Sequence, residues 1–116
     1  MKWKGSKEKS SINAENVSYR IWFAVGFAEA LSRVLNLGEV VVTSLRDGTH
    51  SDNSLHYKGL AVDLRTRHLT EDQLTFWVQL LKTYLDPLGF DTVREDDHVH
   101  IEYDPKIDEV FDGRVA

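Results

Sequence analysis

The sequence contains no cysteine among its 116 residues. This absence excludes disulfide bridges, zinc sites built on thiolates and cysteine nucleophiles. Any bound metal must then be held by imidazole and carboxylate groups.

Positive charge is also scarce, with 14 Lys and Arg residues against 19 Asp and Glu residues and a net charge of −5. A chain that is acidic overall offers no broad basic surface to a phosphate backbone or to anionic lipids. We therefore expect neither nucleic acid nor a membrane as a partner.

Long apolar runs are missing as well. The most apolar window, residues 21–28, is followed by Glu29 and Arg33 and is too short to span a bilayer. Residues 1–13 are polar and lack the continuous apolar stretch that a signal peptide requires. We expect cytoplasmic synthesis, so that an enzyme acting on a cell wall would need another exit route, such as host lysis or packaging into a virion.

The length and the hydrophobic content of 41% suit one compact domain with one core. The polar start of the chain predicts a flexible N-terminal arm over residues 1–15, followed by a single domain over residues 16–116. We expect this domain to be a monomer.

The first half of the domain combines a helix and two strands. Apolar residues at helical spacing predict a core helix over residues 16–36, carrying Ala24, Phe27, Ala28, Leu31, Val34 and Leu35. A β-branched run predicts a strand over residues 39–44, and a polar loop follows over residues 46–58. Residues 60–65 alternate with period two, which places Ala61 and Asp63 on the sheet face opposite Val62 and Leu64.

The second half begins with a capping-box pattern at Thr70 and Gln73, which predicts a helix that ends before Pro87 and Gly89. Its apolar stripe consists of Leu74, Trp77, Val78, Leu81 and Leu85. We expect the aromatic residues of both helices to be core residues: Trp22, Phe23, Phe27, Phe76 and Trp77.

A closing hairpin, with strands at residues 90–94 and 99–103, completes an α+β fold. We expect a small, mostly antiparallel sheet with two helices packed on one face. The polar residues of the strands then lie on the other face.

Two clusters carry most of the histidines: Ser54-Leu55-His56-Tyr57-Lys58-Gly59-Leu60-Ala61-Val62-Asp63 and Asp97-His98-Val99-His100-Ile101-Glu102. On a strand, His98 and His100 point to the same face. Neutral imidazole with carboxylate is a donor set that suits zinc when no thiolate is present. Three such ligands leave one coordination position open, which is typical of a catalytic zinc.

The pattern Ser-x-His-x-x-Gly-x-Ala-x-Asp followed by His-x-His resembles the zinc D-Ala-D-Ala carboxypeptidases and L-Ala-D-Glu endopeptidases. That family includes phage endolysins and shares its fold with the hedgehog signalling domain. The resemblance covers roughly residues 20–103 and implies a hedgehog/DD-peptidase-like fold.

The resemblance implies that His56, Asp63 and His100 are the ligands of a Zn²⁺ cofactor. It implies that Asp97 is the general base, although the family often has glutamate there. Thr43-Ser44-Leu45-Arg46 resembles the family's Ser-Gly-x-Arg segment without the glycine, and it gives Arg46 a role in binding the substrate carbonyl. Arg46 or His98 would then stabilise the oxyanion.

The expected substrate is a peptidoglycan stem peptide, cut as a D-Ala-D-Ala carboxypeptidase or as an L-Ala-D-Glu endopeptidase would cut it. The expected role is cell-wall lysis, as for a phage lysis protein. The alternative is a non-catalytic module that keeps zinc for structure and binds cell walls or serves in a virion.

Several residue roles stay open at this stage. Glu95 and Glu102 rival Asp97 as the base, and Glu102 is also placed to orient a ligand imidazole or to be an exposed strand residue. His50 is equally a cleft residue or a solvated loop residue, and His68 is expected at the surface.

Overall fold

The computed structural model describes residues 2–3, 17–45 and 59–104 of the chain. The elements in chain order are β1 (Lys2–Trp3), α1 (Tyr19–Val34), β2 (Val41–Ser44), β3 (Ala61–Arg65), α2 (Glu71–Leu85), β4 (Phe90–Arg94) and β5 (His98–Tyr103). Two helices and a sheet with four antiparallel strands confirm the predicted α+β class.

The predicted N-terminal arm lies largely outside the described residues, and its flexibility stays a prediction. Lys2–Trp3, at the start of that arm, pairs in parallel with Val41–Val42 of β2. The strand order across the sheet is β1-β2-β3-β5-β4.

The antiparallel pairing of β3 and β5 gives the sheet two different faces. Val62 lies opposite Ile101 and Leu64 lies opposite Val99, and all four side chains are fully buried in the core with both helices. Because side chains alternate along a strand, the residues between them lie on the other face. The predicted division between apolar and polar faces is therefore confirmed.

Helix α2 follows its sequence closely. The Thr70 hydroxyl accepts a hydrogen bond from the Gln73 N–H at 3.2 Å, and the Gln73 side chain accepts one from the Thr70 N–H at 2.9 Å. This reciprocal pair is the predicted capping box. The buried residues of the helix are the predicted five: Leu74, Trp77, Val78, Leu81 and Leu85.

Helix α1 buries most of the predicted face, since Phe27, Leu31 and Leu35 pack against the core beside the buried Ala24 and Ala28, but Val34 is an exception. Val34 is 81% exposed, whereas Ile21, Val25 and Ser32 join the predicted Ala24 and Ala28 in the buried set. The error arises because nearly every residue from 21 to 28 is apolar, so helical spacing alone does not single out one stripe.

The aromatic residues of the helices divide between core and surface. Trp77 is buried, and Trp22 and Phe27 are partly buried against the core. Phe23 and Phe76 are 52% and 54% exposed, so the prediction that they are core residues is wrong.

Glu29 fastens α1 to the start of β2. Its carboxylate accepts hydrogen bonds from the Arg33 side chain at 2.8 Å and from the Val40 N–H at 3.0 Å. Arg33 is the (i, i+4) neighbour of Glu29 on the helix surface, and the contact with Val40 holds the turn at residues 35–39 against the helix.

A lysine lies against strand β4, at the edge of the sheet. The Lys82 ammonium on α2 donates a hydrogen bond to the Thr92 carbonyl at 2.7 Å. Since β4 pairs with β5 on its other side, this contact ties helix α2 directly to the edge strand.

Gly89, between α2 and β4, is a position where any side chain should destabilise the fold. It has φ of 100°, and an added Cβ would lie 3.0 Å from the buried Tyr103 ring. We predict that Gly89→Ala lowers the free energy of unfolding by about 1–2 kcal/mol for the left-handed backbone and by about 1–3 kcal/mol more for the overlap.

Gly38→Ala is the matched control for this prediction. Gly38 has φ of 91°, and its added Cβ would meet nothing within 4 Å. Urea unfolding of both variants should therefore show only the backbone cost at Gly38. Equal losses in the two variants would contradict the proposed overlap with Tyr103.

Candidate metal and catalytic site

The candidate site lies on the polar face of the β3–β5 pair. In the register of these strands, Asp63 stands opposite His100, and Ala61 stands opposite Glu102. His98 precedes His100 by two residues and therefore shares its face. The fold thus brings Asp63, His98, His100 and Glu102 together, as the sequence predicts for the first three and as one of the two interpretations of Glu102 requires.

Asp63 and His100 are in direct contact. The carboxylate Oδ1 of Asp63 lies 2.9 Å from Nδ1 of His100, and the two side chains are only 13% and 17% exposed. Asp63 is further fixed through its backbone, because the Thr43 hydroxyl donates a hydrogen bond to its carbonyl at 3.3 Å. Asp63 on β3 is therefore held by Thr43 of β2 on one side and by His100 of β5 on the other.

A break in the β2–β3 ladder accompanies this pair. Val42 pairs with Leu64 but Ser44 pairs with Asp63, so the register shifts by one residue at Thr43. Bulges of this kind re-aim side chains and occur often beside functional sites. Nothing in the Val-Val-Thr-Ser run of β2 marks the bulge, so neither the bulge nor the role of Thr43 was predictable from the sequence.

Glu102 holds the other side of the His100 ring. Its Oε1 lies 2.7 Å from Nε2 of His100, and the Glu102 side chain is 23% exposed. Burial alone lowers the pKa of His100, but the hydrogen bonds to Asp63 and Glu102 outweigh it and raise the pKa to about 9. The ring is therefore orientated by one carboxylate on each nitrogen.

His98 connects the buried pair to the hairpin turn. Its Nδ1 lies 2.6 Å from Oδ1 of Asp97, and its Nε2 lies 3.7 Å from both Asp63 Oδ1 and Glu95 Oε1. The imidazole thus stands between the buried carboxylate of Asp63 and the acidic residues of the turn.

Asp97 lies in the turn and outside the regular pleat, as predicted. Its side chain is 82% exposed, and its hydrogen bond with His98 lowers the pKa of the carboxyl group. The Asp97 carbonyl accepts a hydrogen bond from the Thr66 N–H at 3.3 Å, which fixes the turn against the end of β3. The described contact of the Asp97 carboxylate is with His98 and not with His100.

The remaining site predictions concern residues 46–58. Arg46, His50 and His56 all lie outside the described residues, so their roles stay predictions. His68 is exposed, as expected. Partial burial of its ring and the charge of Arg65 lower the pKa of the imidazole.

The donors present fit one side of a zinc site. A carboxylate oxygen and an imidazole nitrogen are suitable zinc ligands, and their separation of 2.9 Å is close to the ligand spacing of about 3.3 Å in a tetrahedral site with bonds near 2.0 Å. Within residues 17–45 and 59–104, no three His, Asp or Glu side chains converge as a metal-binding group. The third predicted ligand, His56, lies beyond these ranges.

Two shallow grooves flank His98. One has a volume of about 360 Å³ and is lined by Thr43, Arg65, Arg67, Asp97 and His98. The other is lined by Arg94, Glu95, Asp96, Asp97 and His98. The sequence analysis missed Arg65, although its place two residues after Asp63 on β3 puts it on the same face.

No family model matches the chain, and no curated protein matches it significantly. In the described part of the chain, neither helix is long and apolar enough to cross a membrane.

The contacts of His100 with two carboxylates should make the free energy of unfolding depend on pH in chelator-treated protein. The folded-state pKa is about 9 and the ordinary value is 6.5, so the pair contributes stability fully below pH 6.5 and loses it as the pH rises through 9. We expect a loss of roughly 2–3 kcal/mol across this window, measured by urea unfolding in EDTA.

His100→Gln should flatten this pH dependence. His68→Gln should leave it in place, because the lowered pKa of His68 acts below pH 6.5. A native chain whose stability stays constant between pH 6.5 and 9 would show that the two carboxylates do not hold an imidazolium.

Proposed function

We propose that the chain is a zinc-dependent peptidase that hydrolyses peptidoglycan stem peptides, with zinc held by His56, Asp63 and His100. The observation that carries the proposal is the contact between Asp63 and His100 across β3 and β5, with Glu102 on the far nitrogen of the ring. The motif resemblance supplies the substrate class and the third ligand. A hedgehog/DD-peptidase-like topology belongs to the same proposal.

The contacts of His100 support a metal-binding role. Metal-ligating histidines commonly donate their second ring N–H to a carboxylate, which fixes the tautomer and the ring orientation. Glu102 occupies that place at 2.7 Å from Nε2 and leaves Nδ1 to face Asp63. Zinc bound there would supply a Lewis acid that polarises the scissile carbonyl and activates water.

Asp97 is the proposed general base. An aspartate carboxylate is ionised at neutral pH and can accept a proton, although the hydrogen bond with His98 lowers the pKa of Asp97 and so makes it a weaker base. The hydrogen bond at 2.6 Å connects it to His98, which lies next to Asp63. In this proposal Asp97 takes the proton from the attacking water and passes it to the leaving amine.

His98 and Arg46 are the proposed groups for stabilising the oxyanion. The Nε2 atom of His98 is only 3.7 Å from Asp63, so the ring edge faces the region where a substrate carbonyl would lie. Glu102 is a weaker candidate for the base than Asp97, because its carboxylate is bound to the proposed ligand His100 and is only 23% exposed, whereas that of Asp97 is 82% exposed.

Zinc binding tests the ligand assignment. We predict one equivalent of zinc in the native chain and sharply lower occupancy in His56→Ala, Asp63→Ala and His100→Ala, because three protein ligands are the usual number at a catalytic zinc. Metal analysis after dialysis is the measurement. His68→Ala is the control and should retain the full equivalent, and full occupancy in all three ligand variants would refute the site.

Turnover of purified muropeptides, followed by mass spectrometry, tests the chemistry. We predict that Asp97→Asn keeps its zinc and loses about 10²–10⁴-fold in rate, because a general base typically contributes that much. Loss of a terminal D-Ala identifies a carboxypeptidase, and a split between L-Ala and D-Glu identifies an endopeptidase.

Parallel variants identify the base. Glu95→Gln should keep most of the rate, and Glu102→Gln should lower zinc affinity by about 10–100-fold through its effect on the ring of His100. A nearly native rate in Asp97→Asn with an inactive, zinc-loaded Glu95→Gln would move the base to Glu95. Zinc-loaded protein that sediments with cell walls but leaves them intact would favour the binding module instead.

A further inference from the structure

The groove on the β3 side of His98 is lined by two arginines, Arg65 and Arg67. Within residues 17–45 and 59–104, neither the Arg65 nor the Arg67 guanidinium forms an ion pair or a hydrogen bond, whereas Arg33 and Arg94 are paired with Glu29 and Glu71. The chain has a net charge of −5, yet this groove holds two guanidinium groups that the described residues leave unpaired. They therefore suggest an anionic ligand.

The fold places these arginines beside the proposed catalytic residues. Arg65 stands opposite His98 in the β3–β5 register, and Arg67 follows just past the end of β3. Between them, the Thr66 N–H donates a hydrogen bond to the Asp97 carbonyl at 3.3 Å. The segment that carries both arginines is thus tied to the turn that carries Asp97.

The two grooves that flank His98 differ in charge. The groove with Arg65 and Arg67 holds one carboxylate, Asp97, which is itself engaged with His98. The groove on the other side presents Glu95 and Asp96 as well, and its arginine, Arg94, is bound to Glu71. An anionic group on a substrate is therefore repelled from one side and attracted to the other.

We infer that Arg65 and Arg67 form a carboxylate-binding subsite for the leaving-group side of the scissile bond. This inference rests on the proposed function. In D-Ala-D-Ala and in L-Ala-D-Glu alike, the carbon next to the scissile nitrogen bears a free carboxylate. A planar guanidinium binds a carboxylate through two parallel hydrogen bonds, so the subsite fits the chemistry that both candidate bonds share.

Binding of uncleavable peptides tests the subsite without relying on turnover. The probes are ketomethylene analogues of N-acetyl-D-Ala-D-Ala and N-acetyl-L-Ala-D-Glu, each with its α-carboxylate free or amidated, titrated into the full zinc-treated chain by calorimetry or NMR. We expect at least one acid form to bind about tenfold or more tightly than its amide, as a charge-assisted hydrogen bond would provide. The preferred acid then indicates which of the two bonds the subsite serves.

Variants assign this preference to the arginines. Arg65→Gln and Arg67→Gln should each reduce the ratio of acid to amide affinity, and the double variant should remove it. Arg65→Lys should retain part of it, because charge remains while the paired geometry is lost. Arg33→Gln, on α1, is the control and should keep the full ratio, and thermal unfolding checks that each variant is folded. Because Arg67 is exposed beyond the strand, Arg67→Gln keeps the test available if Arg65→Gln does not fold.

Several outcomes would overturn the inference. Equal binding of acid and amide by the native chain would do so, as would binding of neither form or a preference that survives in the double variant. Failure of the proposed function would give a different result. Muropeptides would stay intact, but the chain would still bind the acid more tightly than the amide, and this preference would still depend on Arg65 and Arg67.

Discussion

The antiparallel register of β3 and β5 is the constraint on which the rest of the molecule depends. It sets Val62 against Ile101 on one face and Asp63 against His100 on the other. A slip of one residue in either strand would turn the apolar side chains of that strand toward the polar face. The burial of the core therefore fixes the geometry of the candidate site, and the two cannot vary independently.

This coupling has an energetic side. Burying an imidazole between two carboxylates removes all three groups from water, and paired buried charges often return little net stability for that cost. The opposite face of the same strands carries four fully buried aliphatic residues, and their burial contributes hydrophobic stabilisation. The apolar face of the sheet can therefore offset the desolvation cost of the polar arrangement on the other face.

Much of the fold was predictable because local patterns and tertiary packing agree. In α2, the capping box and one continuous apolar stripe define both the start of the helix and its buried face. The period of two in β3 and β5 assigns Asp63 and His100 to the same face of the sheet. In α1 the pattern is ambiguous, and packing against the sheet selected Ile21 and Val25 over Val34.

The site was predictable only in part. The histidines and Asp63 stand out as residue types, but three features depend on how distant segments meet. The bulge at Thr43, the link from Thr66 to Asp97 and the position of Arg65 opposite His98 all arise from pairing between strands. Composition and spacing along one segment carry no information about them.

The contact between Lys82 and the Thr92 carbonyl bears on how molecules of this chain meet each other. An edge strand with free backbone groups is a template on which another strand can assemble, and such pairing leads to aggregation. An ammonium group bound to a carbonyl of the edge strand β4 must be displaced before a new strand can add there. In concentrated solutions of the protein, Lys82 therefore hinders a second molecule from extending the sheet at this position of β4.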